Sequence, residues 1–379
     1  MKILLLGEYS RLHNSLKEGL VSLGHEVITV ASGDDFKKYD ADYSFHSAFF
    51  SRFWFIRKGK NLIYKTTTID LEKIERAVRF YFLLPKLKGF HHVQLIISDA
   101  IETYPFFARF LYKKAFQNIE SRSLLVCGDE TPVIDYLFKK EMKYSVLTPY
   151  FDDNSLNKQF HFPLKYRTKR YRKTFDWLHN NCKALIASDL DYKIPLEAME
   201  YNPHFIPNPI NTDAIKFKKL EINTKVVIFL GINRGSYIKK GISFFEKALT
   251  IIKEKYNSKV EILITENVPY DQYIPLYNKA HILLDQVYAY DQGYNALEAM
   301  AKGKVVFTGA EKEFTKHYNL TEKVAINALP DVDSLVNELS FLIENPEEII
   351  AIGKRARAFI EKEHHYTKIA EKYFEVWNT

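Results

Sequence analysis

Only two cysteines, Cys127 and Cys182, occur in 379 residues, which excludes a disulfide framework and any four-thiolate zinc site. Nowhere do about 18 apolar residues run together, so no transmembrane helix is expected. Glycine is scarce at 14 residues, which makes each loop glycine informative about backbone geometry. The opening run Met1–Gly7 reaches Glu8 and Arg11 too soon for the apolar core of a signal peptide. A buried first strand explains it, and we expect a cytoplasmic protein with reduced thiols. No single charge sign dominates either: 54 Lys and Arg against 47 Asp and Glu leave +7, too mild to mark a nucleic-acid binder. What is present is ordinary globular composition, 46% hydrophobic and 27% charged, with aromatics at 15%. At about 150 residues per domain the length predicts two domains or slightly more.

Ile3–Leu6 is an all-apolar run closed by Gly7, the pattern of a strand buried on both faces of a parallel sheet. Leu16, Leu20 and Leu23 then recur at helical spacing before Gly24, and Val27–Val30 resumes a strand, giving a βαβ opening. Similar runs at 93–97, 123–127 and 184–187 alternate with helical patterns near 70–88, 105–118 and 165–181. The segment Pro203–Ile210 holds three prolines and reads as the end of this unit. Strand and helix signals restart at 225–230 and continue through 241–255, 259–264, 281–285, 294–302 and 304–308 to a helical end from about 331. The expected fold is α/β, two doubly wound Rossmann-like domains facing each other across a cleft. We divide it as 1–208, 209–360, and a last helix, 361–379. That helix repeats Tyr366, Ile369, Tyr373, Phe374 and Trp377 and should cover the first domain.

Open parallel sheets bind ligands at the carboxyl ends of their strands. After Gly7, positions 9 and 12 are Tyr and Leu, so the dinucleotide fingerprint is absent, and no GxxxxGK[ST] loop occurs. In the second unit, a strand ending at Leu230–Gly231 leads into Arg234, Lys239, Lys240 and Gly241 before a helix. Arg234 and Lys240 can converge on one diphosphate through charge-assisted hydrogen bonds, whereas a solvated basic loop is the plainer reading. Further on, Gly293, Tyr294, Asn295 and Ala296 open a helix whose free N–H groups can accept phosphate, and Glu298 one turn later can accept from ribose hydroxyls. A first-turn carboxylate also simply complements the helix dipole.

Together these segments resemble the retaining glycosyltransferases of the GT-B fold, the large family 4 type. The resemblance rests on the LGxxR…KG loop at Leu230–Gly241, the EAMAxGxxVV unit from Glu298, and the IPNPI segment at Ile206–Ile210. It implies a hexosyltransferase (EC 2.4) of polysaccharide biosynthesis type, moving a sugar from a UDP- or GDP-sugar to a glycan or lipid-linked hydroxyl with retention and without a metal. Arg234 and Lys240 then match the clamp on the diphosphate, with Gly231, Lys239, Glu266, Gly293, Tyr294 and Asn295 around the donor. Glu298 matches the second Glu of the E-x7-E element. The position of the first Glu is Tyr290; Asp291, one residue later, replaces it through a shifted loop, or another group such as Asp285 does. Acceptor contacts are expected at strand ends of the first domain, from Gly7, Glu8, His13, Asp99 and Asp129, and Thr265–Asn267 should lie near the base. The alternatives are a silent nucleotide-binding module and a nucleotide-sugar epimerase.

No His pair shows metal-ligand spacing with a carboxylate, so no metal is assigned, and Asp189 in Ser188-Asp-Leu-Asp191 reads as a helix cap. Basic and aromatic residues cluster at Lys165–Lys173, Phe49–Lys60 and Phe106–Lys114. They are either a peripheral contact for anionic lipid at the inner face of the membrane or core faces with solvated Lys and Arg rims.

Overall fold

The computed structural model describes residues 1–33 and 40–378. Among these, seven strands form a first, wholly parallel sheet: β1 (Lys2–Leu6), β2 (Glu26–Ala31), β3 (Tyr43–Ser44), β4 (His92–Leu95), β5 (Ser121–Val126), β6 (Ala184–Ala187) and β7 (His204–Phe205), in the order β3-β2-β1-β4-β5-β6-β7. Strand β1 lies centrally, with Leu4 opposite Ile28 on one side and Val93 on the other. Helices on both faces bury Ile3–Leu6 completely, which is why the strand reads as an unbroken apolar run. Strand β7 falls inside the proline-rich segment, so the first sheet continues into it.

The second sheet holds β8 (Val226–Ile232), β9 (Val260–Glu266), β10 (Ile282–Leu284), β11 (Val305–Thr308) and β12 (Ile326–Asn327), ordered β12-β11-β10-β8-β9, again all parallel. Leu283 of β10 sits between Phe229 and Val306, at the centre of a core that continues into Leu297 and Met300 of the Tyr294–Ala301 helix. The chain therefore has two Rossmann-like layers, with the carboxyl ends of β1 and β4 and of β8–β10 supplying the loops that carry the expected site residues.

The segment joining the sheets is pinned. Ile210 bridges to His365, the Asn208 carbonyl accepts from His364 Nδ1 at 2.9 Å, and the Pro209 carbonyl accepts from Tyr294 Oη at 2.7 Å. The last helix, Tyr366–Asn378, crosses back to the first sheet. Its Ile369, Ala370, Tyr373 and Trp377 are buried in the first core, Trp377 stacks on His92 at 4.2 Å, and its Nε1 donates to Gln94 at 3.1 Å. A Cβ on Gly19 would meet the Tyr366 carbonyl oxygen at 2.4 Å, so glycine lets this helix and Leu12–Ser22 touch backbone to backbone.

Candidate functional site

At the carboxyl edge of the second sheet, the loop after β8 brings Arg234 against Glu266, the last residue of β9. Arg234 Nε and Nη2 donate to the two carboxylate oxygens at 2.7 and 2.5 Å. Its backbone N–H donates to Asn267 at 3.1 Å, and its guanidinium lies 4.8 Å from the Tyr237 ring. The fork is 48% exposed, so it is held in place yet open to a ligand. Six residues on, Lys240 Nζ donates to Asp285 Oδ1 at 2.8 Å, and Asn295 Nδ2 donates to the same oxygen at 3.1 Å. Asp285 directly follows β10 and is buried, whereas Lys240 keeps a third of its side chain exposed. Asn295 Oδ1 accepts from Tyr273, whose ring packs over Gly231; a Cβ there would meet Tyr273 Cε2 at 2.6 Å.

Gly293 caps the Tyr294–Ala301 helix in extended conformation with open space beside it, so the helix start can receive an anion. Tyr294 turns away towards the Pro209 carbonyl and the first domain, and Glu298 is half-buried on the same helix. Thus the loop after β8, the end of β10 and one helix N-terminus supply two cations and a set of backbone N–H groups at one sheet edge.

The remaining expected residues divide. Lys239 points across the cleft: its Nζ lies 5.7 Å from the Phe160 ring and 5.9 Å from Phe162. Its charge, with that of Lys165, opposes the burial that pushes the Asp129 carboxyl up. Lys165 itself donates to Asp99 at 2.8 Å and sits 3.7 Å from the Phe162 ring. Next to them Glu130 accepts from the Ser98 N–H and hydroxyl, both at 2.7 Å, and burial raises its pKa to about 7. Gly7, with φ of +87°, turns the chain where a Cβ would meet Ile96 Cγ2 at 2.5 Å. Glu8 Oε2 accepts from the Asn14 N–H and side-chain amide, closing the loop. His13 Nδ1 donates to the Gly7 carbonyl at 2.7 Å, and burial lowers its pKa to about 4, so the ring is neutral and Nε2 is an acceptor with no protein partner.

Asp291 faces the first domain. It is buried at the junction of the two sheets, where its Oδ2 accepts from the Leu190 N–H at 3.1 Å. Asp191 answers from the other side, accepting from the N–H groups of Tyr290 and Asp291 at 3.0 to 3.1 Å. Asp189 makes no cap hydrogen bond to its helix; its Oδ1 is buried without a partner. Burial first, and the neighbouring carboxylates second, push the Asp189 carboxyl well above the usual carboxylate range. Tyr290, at the position of the missing Glu, uses its hydroxyl to accept from the Lys143 N–H at 2.9 Å. Its side chain therefore joins the domains. Sequence reasoning took Lys165 only as one member of a basic run, because nothing local marks its partner 66 residues earlier.

Among the described residues, no group of three or more His, Cys, Asp and Glu is arranged to hold a metal. Residues 241–375 match the family described as glycosyl transferase-like. The chain is similar in structure to sucrose-phosphate synthase from Thermosynechococcus elongatus, with a TM-score of 0.63 and 13% identity over 100% of this chain and 98% of that one. It is also similar to Anabaena HepE in complex with UDP and glucose, at 0.61 and 11% over 100% of both chains. A putative UDP-N-acetylglucosamine 2-epimerase from Listeria monocytogenes aligns at 0.55 and 11%, over 99% of this chain and 94% of that one. No curated protein sequence matches. The whole chain thus shares the two-domain fold of these structures, and its second half carries the segment that matches the glycosyl transferase-like family.

Proposed function

We propose that this enzyme transfers a hexosyl group from a nucleoside diphosphate sugar to a hydroxyl of a glycan or lipid-linked acceptor, with retention and without a metal ion. The observation that carries the reading is the convergence of Arg234, Lys240 and the helix start at Gly293 on one sheet edge, the two cations just before and the helix start within the segment 241–375 that matches glycosyl transferases. Cleaving the anomeric C–O bond places negative charge on the departing diphosphate. Fixed cations and N–H dipoles stabilise that charge more in the transition state than in the ground state. The diphosphate replaces Glu266 and Asp285 as partner of Arg234 and Lys240, and Glu298 accepts from the ribose.

The acceptor lies against the first domain, between Lys165–Asp99, Asp129 and the loop Gly7–His13. His13 Nε2, neutral and without a protein partner, is suited to accept a hydrogen bond from a hydroxyl there. Because Asp291 is engaged with Leu190, Asp285 is the better placed carboxylate beside the donor phosphates. UDP is the favoured donor nucleotide, by analogy with the ligand of HepE. The reaction belongs in the cytoplasm, where Cys127 and Cys182 stay reduced.

A thermal-shift panel of UDP, GDP, TDP and NAD tests the site. One nucleoside diphosphate should raise the melting temperature selectively, undiminished by EDTA. No shift with any, or a shift that EDTA abolishes, refutes the assignment. Incubation with UDP-sugars lacking acceptor separates transfer from epimerisation, since only an epimerase accumulates an isomerised sugar.

A further inference from the structure

The helix Trp54–Thr67 buries none of its residues. Ile56 and Lys60 alone are shielded in part, Lys60 by its ion pair with Glu72. Trp54 is 63% exposed, with Phe53, Phe55 and Leu62 beside it in solvent. An aromatic helix that covers no core loses the usual stabilisation of burial, and an exposed apolar surface of this kind marks an interaction site. Over 49–67 the chain carries Arg52, Arg57, Lys58, Lys60 and Lys65 and no acidic residue. Two of these cations already sit on exposed rings, Lys58 at 4.6 Å from Trp54 and Arg52 at 5.1 Å from Phe53. Along the helix Phe55, Leu62 and Ile63 share one arc, and Arg57, Lys58 and Lys65 another. The helices Leu71–Leu83 and Pro105–Ala115 of the same domain also expose Phe82 and Phe106, at 72% and 69%.

We propose that this face docks on an anionic lipid bilayer, the Trp54–Thr67 helix lying in the interface with its apolar arc of Phe55, Leu62 and Ile63 among the acyl chains and Trp54 with the cations at the headgroup boundary. Charge decides between partners. A second copy would oppose the same excess of cations, whereas an anionic surface complements it, and aromatic belts with Lys and Arg suit the polar–apolar boundary. The face borders the acceptor side. The helix Leu71–Leu83 starts where the Asp70 N–H donates to Tyr104 Oη at 2.6 Å and where Lys73 O accepts from Thr103, in the loop that follows β4 and carries Asp99. Docking would therefore set the cleft against the membrane, which suits a lipid-linked acceptor. In that respect alone it rests on the transfer reading above.

The test is co-sedimentation of the full chain with vesicles of phosphatidylcholine, with and without one third phosphatidylglycerol, while following tryptophan emission. The expected result is binding only with the anionic lipid, a blue shift that Trp54→Ser removes, and weakening with added salt. Replacing Arg52, Arg57 and Lys58 together by Gln should reduce vesicle binding about a hundredfold, since each cation near such a surface contributes roughly fivefold. The triple change of Phe53, Trp54 and Phe55 to Ser should abolish it, while the nucleotide-induced thermal shift persists in both variants. Equal binding to both vesicle types, wild-type binding by the triple serine variant, or a dimer that this variant converts to monomer would overturn the proposal. Loss of the nucleotide shift in the unsubstituted chain would instead strike the donor-site reading and leave docking standing.

Discussion

Arg234 and Lys240 differ in what holds them, and that difference predicts different costs. The Arg234–Glu266 pair is exposed on both sides, where a salt bridge adds little to stability. Arg234→Ala should therefore leave the melting temperature unchanged while lowering transfer about a hundredfold. Lys240 neutralises the buried Asp285, so Lys240→Ala should lose transfer and also destabilise by about 1–3 kcal/mol, because the carboxylate keeps only Asn295. Initial rates and melts on the two variants check this pair. The carboxylates Asp189, Asp191 and Asp291 make a second residue-scale case. Burial raises all three, Asp191 from 3.8 to about 7. The folded state thus binds protons that the unfolded chain releases, and stability falls as pH rises from about 4 to about 7. Asp189→Asn removes one of these charges. It should raise the melting temperature by a few degrees at pH 8, a gain that shrinks towards zero near pH 4, read from melting curves of both proteins across that range.

At the scale of elements, the parallel strands were legible because burial on both faces leaves a local apolar run, as in Leu4–Leu6 and Val305–Phe307. The helix before β2 was legible from Leu16 and Leu20, although its start lies at Leu12, where Arg11 takes a left-handed conformation that spacing does not announce. The aromatic stretch 49–60 could be read as core or as surface. The structure decides for surface, since Trp54 and Phe55 meet no packing partner in the first core. Gly19 marks an element contact that sequence cannot show. Alanine is the better helix former, so on propensity Gly19→Ala should stabilise. Here its Cβ would meet Tyr366 O at 2.4 Å and Ala370 Cβ at 2.8 Å, and we expect a loss of about 1–3 kcal/mol in urea unfolding. A gain would refute the close approach of these helices.

For the molecule as a whole, two of the junctions between the units involve distant parts of the chain. Around Asp191, Tyr290 and Asp291 the backbone of one domain is capped by carboxylates of the other. Opposite this junction, the last helix leaves the second unit and fastens to the first through Trp377, stacked on His92 and bonded to Gln94. Trp377→Ala should remove about 3–5 kcal/mol from the first domain. Calorimetry should then resolve an earlier transition, while the nucleotide shift at the second sheet survives. A single unshifted transition would show that the helix does not carry this coupling.

The sequence by itself determined the two α/β units, the Arg234–Gly241 loop and the Gly293 helix start, because apolar periodicity and glycine spacing are local signals. Tertiary structure alone decided that Asp291 turns to Leu190, that Lys165 neutralises Asp99, that Lys239 crosses towards Asp129 and that the Trp54 helix stays bare. Each of these outcomes depends on a partner, or on the want of one, set by how distant segments pack, and no spacing along the chain encodes that.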